Sequence, residues 1–441
     1  LARDNAPPFI LEWRNNTAIQ TALETDKAQQ RLTSGVLTPD HVIRTKNRPL
    51  WLELQGLDET AMAQTIAKGM SGYEQTYHDS FQEQVTRRRL NRTELDRKPR
   101  VILIPGLGLV AAGTSRSQAA IAADIAEHTL RAKTLGAAVG PYHELDEDAI
   151  FDMEYWSLEQ VKLGRHQPLP LAGRTALVTG GGGAIACGIG RQLLAAGARL
   201  YLSDLNPERL ERVCALLGQE FKPELITPLV MDVTDQDSIG QGIRQIIHDC
   251  GGLDILVPNA GIAHVARLAE LTESDFRRAI DVNLLGVFQV IKAAEPVFRR
   301  QHATGLSRGQ IIINSSKNVF APGAAFGAYS ASKAGAHQLG KIAALELAAI
   351  GVRVNMINAD GIFSDHDISS GLWDVVGPDR MRSRKLDPEG LRNYYRERNL
   401  LKAEITADHV GQAVVFFASG LTPTTGATLP VDGGVAEAFP R

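Results

Sequence analysis

An apolar run, Thr175-Ala-Leu-Val-Thr179, gives way at once to four consecutive glycines, Gly180 to Gly183, and then to helix-forming text as far as Ala196. A buried strand, a turn of small residues and a helix, in that order, constrain a chain severely. The turn lets backbone come close to a pyrophosphate, and the first-turn N–H groups of the helix supply donors to it. A bare glycine run also reads as a flexible loop, but the strand before it and the helix after it favour the phosphate-binding turn. The alternation continues downstream. Residues 199–203, 229–231, 254–257, 310–313 and 352–356 read as further strands, with helical stretches such as 237–248 and 331–350 between them. This order implies βαβ units and a parallel sheet.

The first part of the chain has a different character. Residues 17–32 read as one helix, 46–54 as a loop around Asn47-Arg48-Pro49, and 71–93 as an exposed, polar helix. Residues 100–104 are a strand stopped by Pro105-Gly106, and 114–135 a helix opening on an N-cap residue. The Pro-rich stretch His166-Gln-Pro-Leu-Pro-Leu-Ala-Gly173 marks a boundary, dividing the chain into 1–168 and 169–441.

Composition narrows the function classes. Lys plus Arg is 47 and Asp plus Glu 50, a net charge of −3 that argues against a nucleic-acid binder and against an acidic disordered tail. No apolar run approaches the ~18 residues of a membrane span. The start, Leu1-Ala-Arg-Asp-Asn-Ala-Pro-Pro, has no apolar signal core and no Met, so the chain reads as a fragment or a processed product. Cys187, Cys214 and Cys250 cannot all pair and have no metal-ligand spacing, which fits a reducing, cytoplasmic setting.

Asp204 ends the second strand, ~20 residues past the glycines, where an acid accepts from both adenosine ribose hydroxyls and repels a 2′-phosphate. No Arg or Lys follows it immediately, so NAD is expected over NADP.

From here the residues resemble the short-chain dehydrogenase/reductase superfamily. Its Thr-Gly-x-x-x-Gly-x-Gly is present as Thr179-Gly180-x-x-x-Ala184-x-Ala186, the two alanines bringing methyl groups near the phosphates. Asp232-Val233 resembles the pair that contacts adenine. Asn259-Ala260-Gly261 resembles Asn-Asn-Ala-Gly, with Pro258 in place of its first residue. Asn283, Ser316, Tyr329 and Lys333 match the catalytic set, with the family's thirteen-residue step from Ser316 to Tyr329. The resemblance implies a Rossmann-type α/β fold with a doubly wound parallel sheet. It places NAD against Gly180, Gly182, Gly183, Ala184, Ile185, Asp204, Asp232, Val233, Asn259, Ala260, Gly261, Tyr329, Lys333 and Ile362. The last follows Ala359-Asp360, which stands where the superfamily has Pro-Gly.

A narrower resemblance spans the chain. Thr38-Pro-Asp-His-Val-Ile-Arg-Thr45, Ile104-Pro-Gly-Leu-Gly108, Glu154-Tyr-Trp-Ser-Leu-Glu159, Ser316-Lys317-Asn318, Asp360 and Tyr394-Tyr-Arg-Glu-Arg398-Asn-Leu-Leu401 are similar to the bifunctional class II aldolase/short-chain dehydrogenases, the rhamnulose-1-phosphate aldolase/lactaldehyde dehydrogenase type. Residues 1–168 would then be an incomplete, smaller α/β aldolase-like domain. The eleven histidines contain no His-x-His pair, and His41, His78, His128 and His143 are widely spaced, so no metal site is expected.

The implied chemistry is hydride transfer between a nicotinamide and a small hydroxylated or sugar-derived alcohol or aldehyde, such as lactaldehyde, a deoxy sugar or a polyol. A hydride leaves an alcohol carbon only once the hydroxyl proton is removed, and Tyr329 is the candidate base. A free phenol titrates near ~10. Lys333, four residues on along the same helical face, is expected to lower that value and to bond the nicotinamide ribose. Ser316 would hold the substrate oxygen, and by resemblance Asn283 holds a relay water. Lys317 and Asn318 read either as contacts to a substrate phosphate, carboxylate or hydroxyl or as solvated loop. Residues 365–398, rich in arginine, stand in the place of a lid and read either as anion-binding or as a salt-bridged surface. Trp373 and Cys187 read as packing. The alternative function is one part of a bifunctional sugar-phosphate aldolase (a lyase) and dehydrogenase whose zinc-binding N-terminal half is missing here. A homo-oligomer, dimer or tetramer, is expected by analogy, with no nucleic-acid or membrane partner.

Overall fold

The computed structural model describes residues 9–157 and 169–439. His166, Gln167 and Pro168 of the Pro-rich stretch, Leu158, Glu159 and the first eight residues lie outside them. The chain divides into two compact units, Ala6–Gln167 and Pro168–Arg441.

In the first unit, strands β1 (Ile10–Arg14), β2 (Leu50–Trp51), β3 (Val101–Ile104) and β4 (Gly108–Gly113) form a sheet in the order β1-β4-β3-β2. The helix Arg116–Gly136, capped by Ser115 on Gln118 N, lays Ala122, Ala126 and Leu130 into a core with Ile19, Leu23, Leu103 and Leu109. Residues 17–32 are two helices rather than one, Thr17–Glu24 and Ala28–Leu32, because Lys27 adopts a left-handed φ of +53° between them. The segment read as a loop at 46–54 contributes β2. The exposed helix runs over Glu59–Arg88, from Asp58 as N-cap to Arg89 in the left-handed region. Lys46 Nζ meets Glu154 Oε1 at 2.9 Å, and Tyr77 OH donates to the same oxygen at 2.9 Å. Glu154 and its neighbour Tyr155 thus anchor this unit's interior.

The second unit is built on a parallel sheet of β5 (Thr175–Thr179), β6 (Arg199–Asp204), β7 (Ile226–Val230), β8 (Ile255–Val257), β9 (Gln310–Asn314), β10 (Arg353–Ala359) and β13 (Thr428–Val431), in the order β13-β10-β9-β8-β5-β6-β7. A short hairpin, β11 (Ser364–Asp365) with β12 (Ile368–Ser369), follows β10. Successive side chains of a strand point to opposite faces. Ala176, Val178, Leu200 and Leu202 accordingly join one hydrophobic cluster, and Leu177, Tyr201, Ile311 and Ile313 join another. Both faces are covered by helices, which is why these strands read as continuous apolar runs. On one face Gly188 lets two helices touch, since a Cβ there would stand 2.4 Å from the carbonyl carbon of Ala407. The strand expected at 229–231 is β7, which begins earlier; Pro228 sits inside it, tolerated because β7 is an edge. Chain order reverses between β5 and β8, and the crevice at the carboxyl ends of a sheet's strands there is where such folds take ligands. Among the described residues no helix is long and apolar enough to cross a membrane.

Candidate active site

At that crevice lies a cavity of about 1580 Å³, lined from the glycine turn through Asp204, Asp232, Asn259, Ser316 and Tyr329 to residues 371–398. The turn is built for close approach. Gly180 has φ +67°, and a Cβ there would stand 2.8 Å from Ala260 Cα; on Gly181 it would meet Leu202 Cβ at 2.9 Å, and on Gly182 Arg209 Cβ at 2.7 Å. Gly183 caps the helix Ala184–Ala195 with no side-chain bond, leaving its first-turn amides as free donors beside the cavity. The pyrophosphate of a dinucleotide fits such a cradle. Ala184 and Ala186 are 1% and 0% exposed and belong to the hydrophobic core. Both also line the cavity at the glycine turn, where a phosphate would approach.

The surrounding residues hold the turn in place. Asp204 Oδ2 accepts from Gly182 N at 2.9 Å and its Oδ1 from Asn206 N at 2.9 Å. Asn259 Nδ2 donates to Thr179 O at 2.8 Å, while Asn259 N and Ala260 N both donate to Thr179 Oγ1 at 3.0 Å. Asn314 Nδ2 in turn donates to Asn259 Oδ1 at 2.8 Å. Asp232 Oδ1 accepts from Thr234 N and Oγ1, leaving Oδ2 to the cavity beside buried Val233. Ile185 and the deeply buried Ile362 also line the cavity. Arg209 was missed by sequence reasoning. It lies five residues past Asp204, and only folding shows that its Cβ stands against Gly182 of the turn while its guanidinium lies beside Gly371.

Tyr329 and Lys333 lie one turn apart on the helix Gly327–Leu347, both buried and both lining the cavity. Ser316, after β9, hydrogen-bonds the Tyr329 hydroxyl, and its Oγ accepts from Asn318 N at 3.1 Å. Burial raises the Tyr329 pKa above that of a free phenol, and the Ser316 bond acts against the rise. Lys333 is anchored by backbone. Its Nζ donates to Asn314 O at 3.0 Å, and burial brings its own pKa down to about 8. Asn283 lies in a π-helical turn, Asp281–Leu285; its Oδ1 accepts from Ile262 N at 2.8 Å and its Nδ2 donates to Ile262 O and Ser332 Oγ at 2.9 Å. Gly261 keeps a side chain out of the space between Asn283 Oδ1 and Lys333 Nζ, each 3.3 Å from where a Cβ would stand.

The far wall is the helix Gly371–Arg384 and the helix Pro388–Glu397. Trp373 and Val376 pack with Phe326 and Tyr329, and Trp373 stacks on Phe363 at 4.2 Å. Asp360, in the place of the superfamily glycine, pairs with Arg398, whose guanidinium lies 3.9 Å from the Tyr395 ring centroid. Two segments singled out separately in the sequence thus meet here. Lys317 and Asn318 form the turn beside them, with the Lys317 pKa lowered by burial and by Arg398. Cys187 is buried beneath the glycine-turn helix. Among the described residues no three of His, Cys, Asp and Glu stand together as metal ligands, and His78 faces Glu94 instead; the residues present do not fit a zinc ion, and no step is derived through one.

Residues 174–373 match the family described as short chain dehydrogenase, and residues 1–163 match aldolase class II, second domain. The protein named Uncharacterized oxidoreductase YuxG of Bacillus subtilis is 28% identical over 436 residues, 98% of this chain, and this chain spans 62% of that protein's length. D-threitol dehydrogenase of Mycolicibacterium smegmatis is 31% identical over 265 residues, 60% of this chain and 93% of that one. The crystal structure of gox2181 superimposes with a TM-score of 0.51 at 27% identity, over 59% of this chain and 95% of that one. Sheet order, glycine turn and these matches define an oxidoreductase of the short-chain dehydrogenase type. The chain belongs to the short-chain dehydrogenase family, here joined to a class II aldolase second domain.

Proposed function

We propose that the chain is an NAD-dependent dehydrogenase of a small hydroxylated or sugar-derived substrate, with Tyr329 as the proton acceptor. The observation that carries this is the burial of Ser316, Tyr329 and Lys333 in the same cleft as an uncapped helix N-terminus. A bound nicotinamide accepts a hydride from the alcohol carbon or returns one to a carbonyl. Ser316 Oγ holds the substrate oxygen against the Tyr329 hydroxyl. Tyr329 takes the hydroxyl proton in oxidation and returns it in reduction. The proton leaves toward Lys333 Nζ, past the space that Gly261 keeps open beside Asn283.

Asp204 supports NAD over NADP, because its carboxylate would face a 2′-phosphate. Arg209 is the nearby cation, its Cβ against Gly182 of the turn and its guanidinium beside Gly371 on the cavity wall. A relative named D-threitol dehydrogenase supports a hydroxylated substrate, and aldehydes such as lactaldehyde would react as their hydrates. Reduction of NAD and of NADP by the purified chain, measured separately over lactaldehyde, polyols, deoxy sugars and their acids and phosphates, tests this. Turnover with NADP alone would overturn the cofactor assignment.

A further inference from the structure

The cavity wall formed by the helix Gly371–Arg384 presents donor-only groups. Trp373, Val376, Arg380 and Arg384 follow one another at helical spacing on the helix Gly371–Arg384, and all four line the cavity. This stripe is apolar at its start, where it packs on Phe326 and Tyr329, and cationic at its end. The Arg380 guanidinium lies 5.1 Å from the Phe326 ring centroid, and that ring lies 6.0 Å from the Tyr329 ring. Arg384 lies 4.4 Å from the Tyr394 ring centroid. Among the described residues neither arginine pairs with a carboxylate, whereas Arg392, Arg396 and Arg398 pair with Glu404, Glu397 and Asp360. Arg380 Nε and Trp373 Nε1 are buried without an acceptor.

We propose, resting on the dehydrogenase reading, that the substrate carries an oxyanion at the end remote from its reacting carbon, and that Arg380 and Arg384 receive it. Donor-only groups left unpaired in a partly dry cleft call for acceptors that the protein does not supply. A guanidinium presents a planar fork that a carboxylate or phosphate meets with two bonds. The Phe326 and Tyr394 rings hold both forks in position. Arg380 and Tyr329 both stand beside the Phe326 ring, a separation that a short hydroxylated chain spans. The anion belongs at this pair rather than at Lys317. Asp360, Asp432 and Glu437 already act on Lys317, and Arg398 is taken by Asp360. A phosphate ester and a sugar acid share this chemistry.

The test uses the whole chain and the variants R380Q/R384Q and R380K/R384K. Each is titrated with NADH by fluorescence, then, saturated with NADH, with inorganic phosphate and with tartrate by calorimetry. NADH affinity should be the same in all three. The unaltered chain should bind at least one anion about tenfold or more tightly than R380Q/R384Q, the worth of a charge-assisted bond, with R380K/R384K between them. Tighter phosphate points to a phosphate ester, tighter tartrate to a sugar acid, and both support the proposal. Equal anion affinity in the unaltered chain and R380Q/R384Q, or no anion binding to the NADH-loaded chain, overturns it while leaving the dehydrogenase reading intact. Failure of the unaltered chain to bind NADH overturns that reading and the proposal together. If R380Q/R384Q melts early, the exposed R384Q alone carries the comparison.

Discussion

Replacing Gly180 by alanine should damage the fold and the cofactor site together, whereas the same change at Gly183 should leave the fold intact. Gly180 has φ +67°, a conformation that costs a residue with a Cβ ~1–2 kcal/mol. The new Cβ would also stand 2.8 Å from Ala260 Cα and 3.1 Å from Ala260 N, and backbone cannot rotate out of the way. Separating the two loops adds ~1–3 kcal/mol. Together these amount to about 2–5 kcal/mol, a fall in Tm of roughly 4–20 °C at ~2–4 °C per kcal/mol for a unit of this size. The displaced Ala260 amide is one of two that bond Thr179 Oγ1, so the cradle opens with it. Because about 1.4 kcal/mol is tenfold in affinity, NADH should bind at least ~10-fold more weakly. At Gly183, φ is −105° and the nearest atom to a built Cβ is Gly180 O at 3.6 Å, an ordinary contact. Thermal melting and fluorescence titration with NADH read both effects. Wild-type NADH affinity in G180A, or an equal fall in Tm from G183A, would refute the reasoning.

Two further outcomes follow from the same geometry. Burial raises the Tyr329 pKa, so the phenol prevails at neutral pH and the phenolate grows as pH rises; kcat/KM for alcohol oxidation should climb from about pH 7 to about pH 9, carbonyl reduction should not, and a flat oxidation profile would contradict Tyr329 as base. Asp360→Asn leaves Arg398 without its partner, at a cost of about 2–3 kcal/mol given that the arginine is partly solvated; calorimetric melting should show that loss, and substrate KM should rise while NADH affinity holds.

The sheet of the second unit was legible because strands buried on both faces read as uninterrupted apolar runs. The exceptions have local causes. In β13, Thr428–Val431, Pro430 interrupts a partly buried edge strand, and in β7 Pro228 hides the first half. In the first unit, β4 is Gly108–Gly113, where only Leu109 and Val110 stand among glycines and alanines, and Lys27 breaks a helix whose apolar spacing continues across it. The Ser316, Tyr329 and Lys333 set was legible because sequence spacing on one helix and one strand end survives folding. The pairs that cross the fold were not. Asp360 and Arg398 are far apart in sequence, and Arg209 reaches the glycine turn from a neighbouring helix.

The most direct test is NADH formation by the purified chain against Tyr329→Phe, over the neutral and anionic substrate panel. The account predicts turnover with NAD that falls by about 100-fold or more in the variant, the contribution of a positioned base, while NADH affinity stays the same. Equal turnover by both proteins would contradict Tyr329 as the catalytic base, and an unaltered chain that binds no NADH would contradict the dehydrogenase itself.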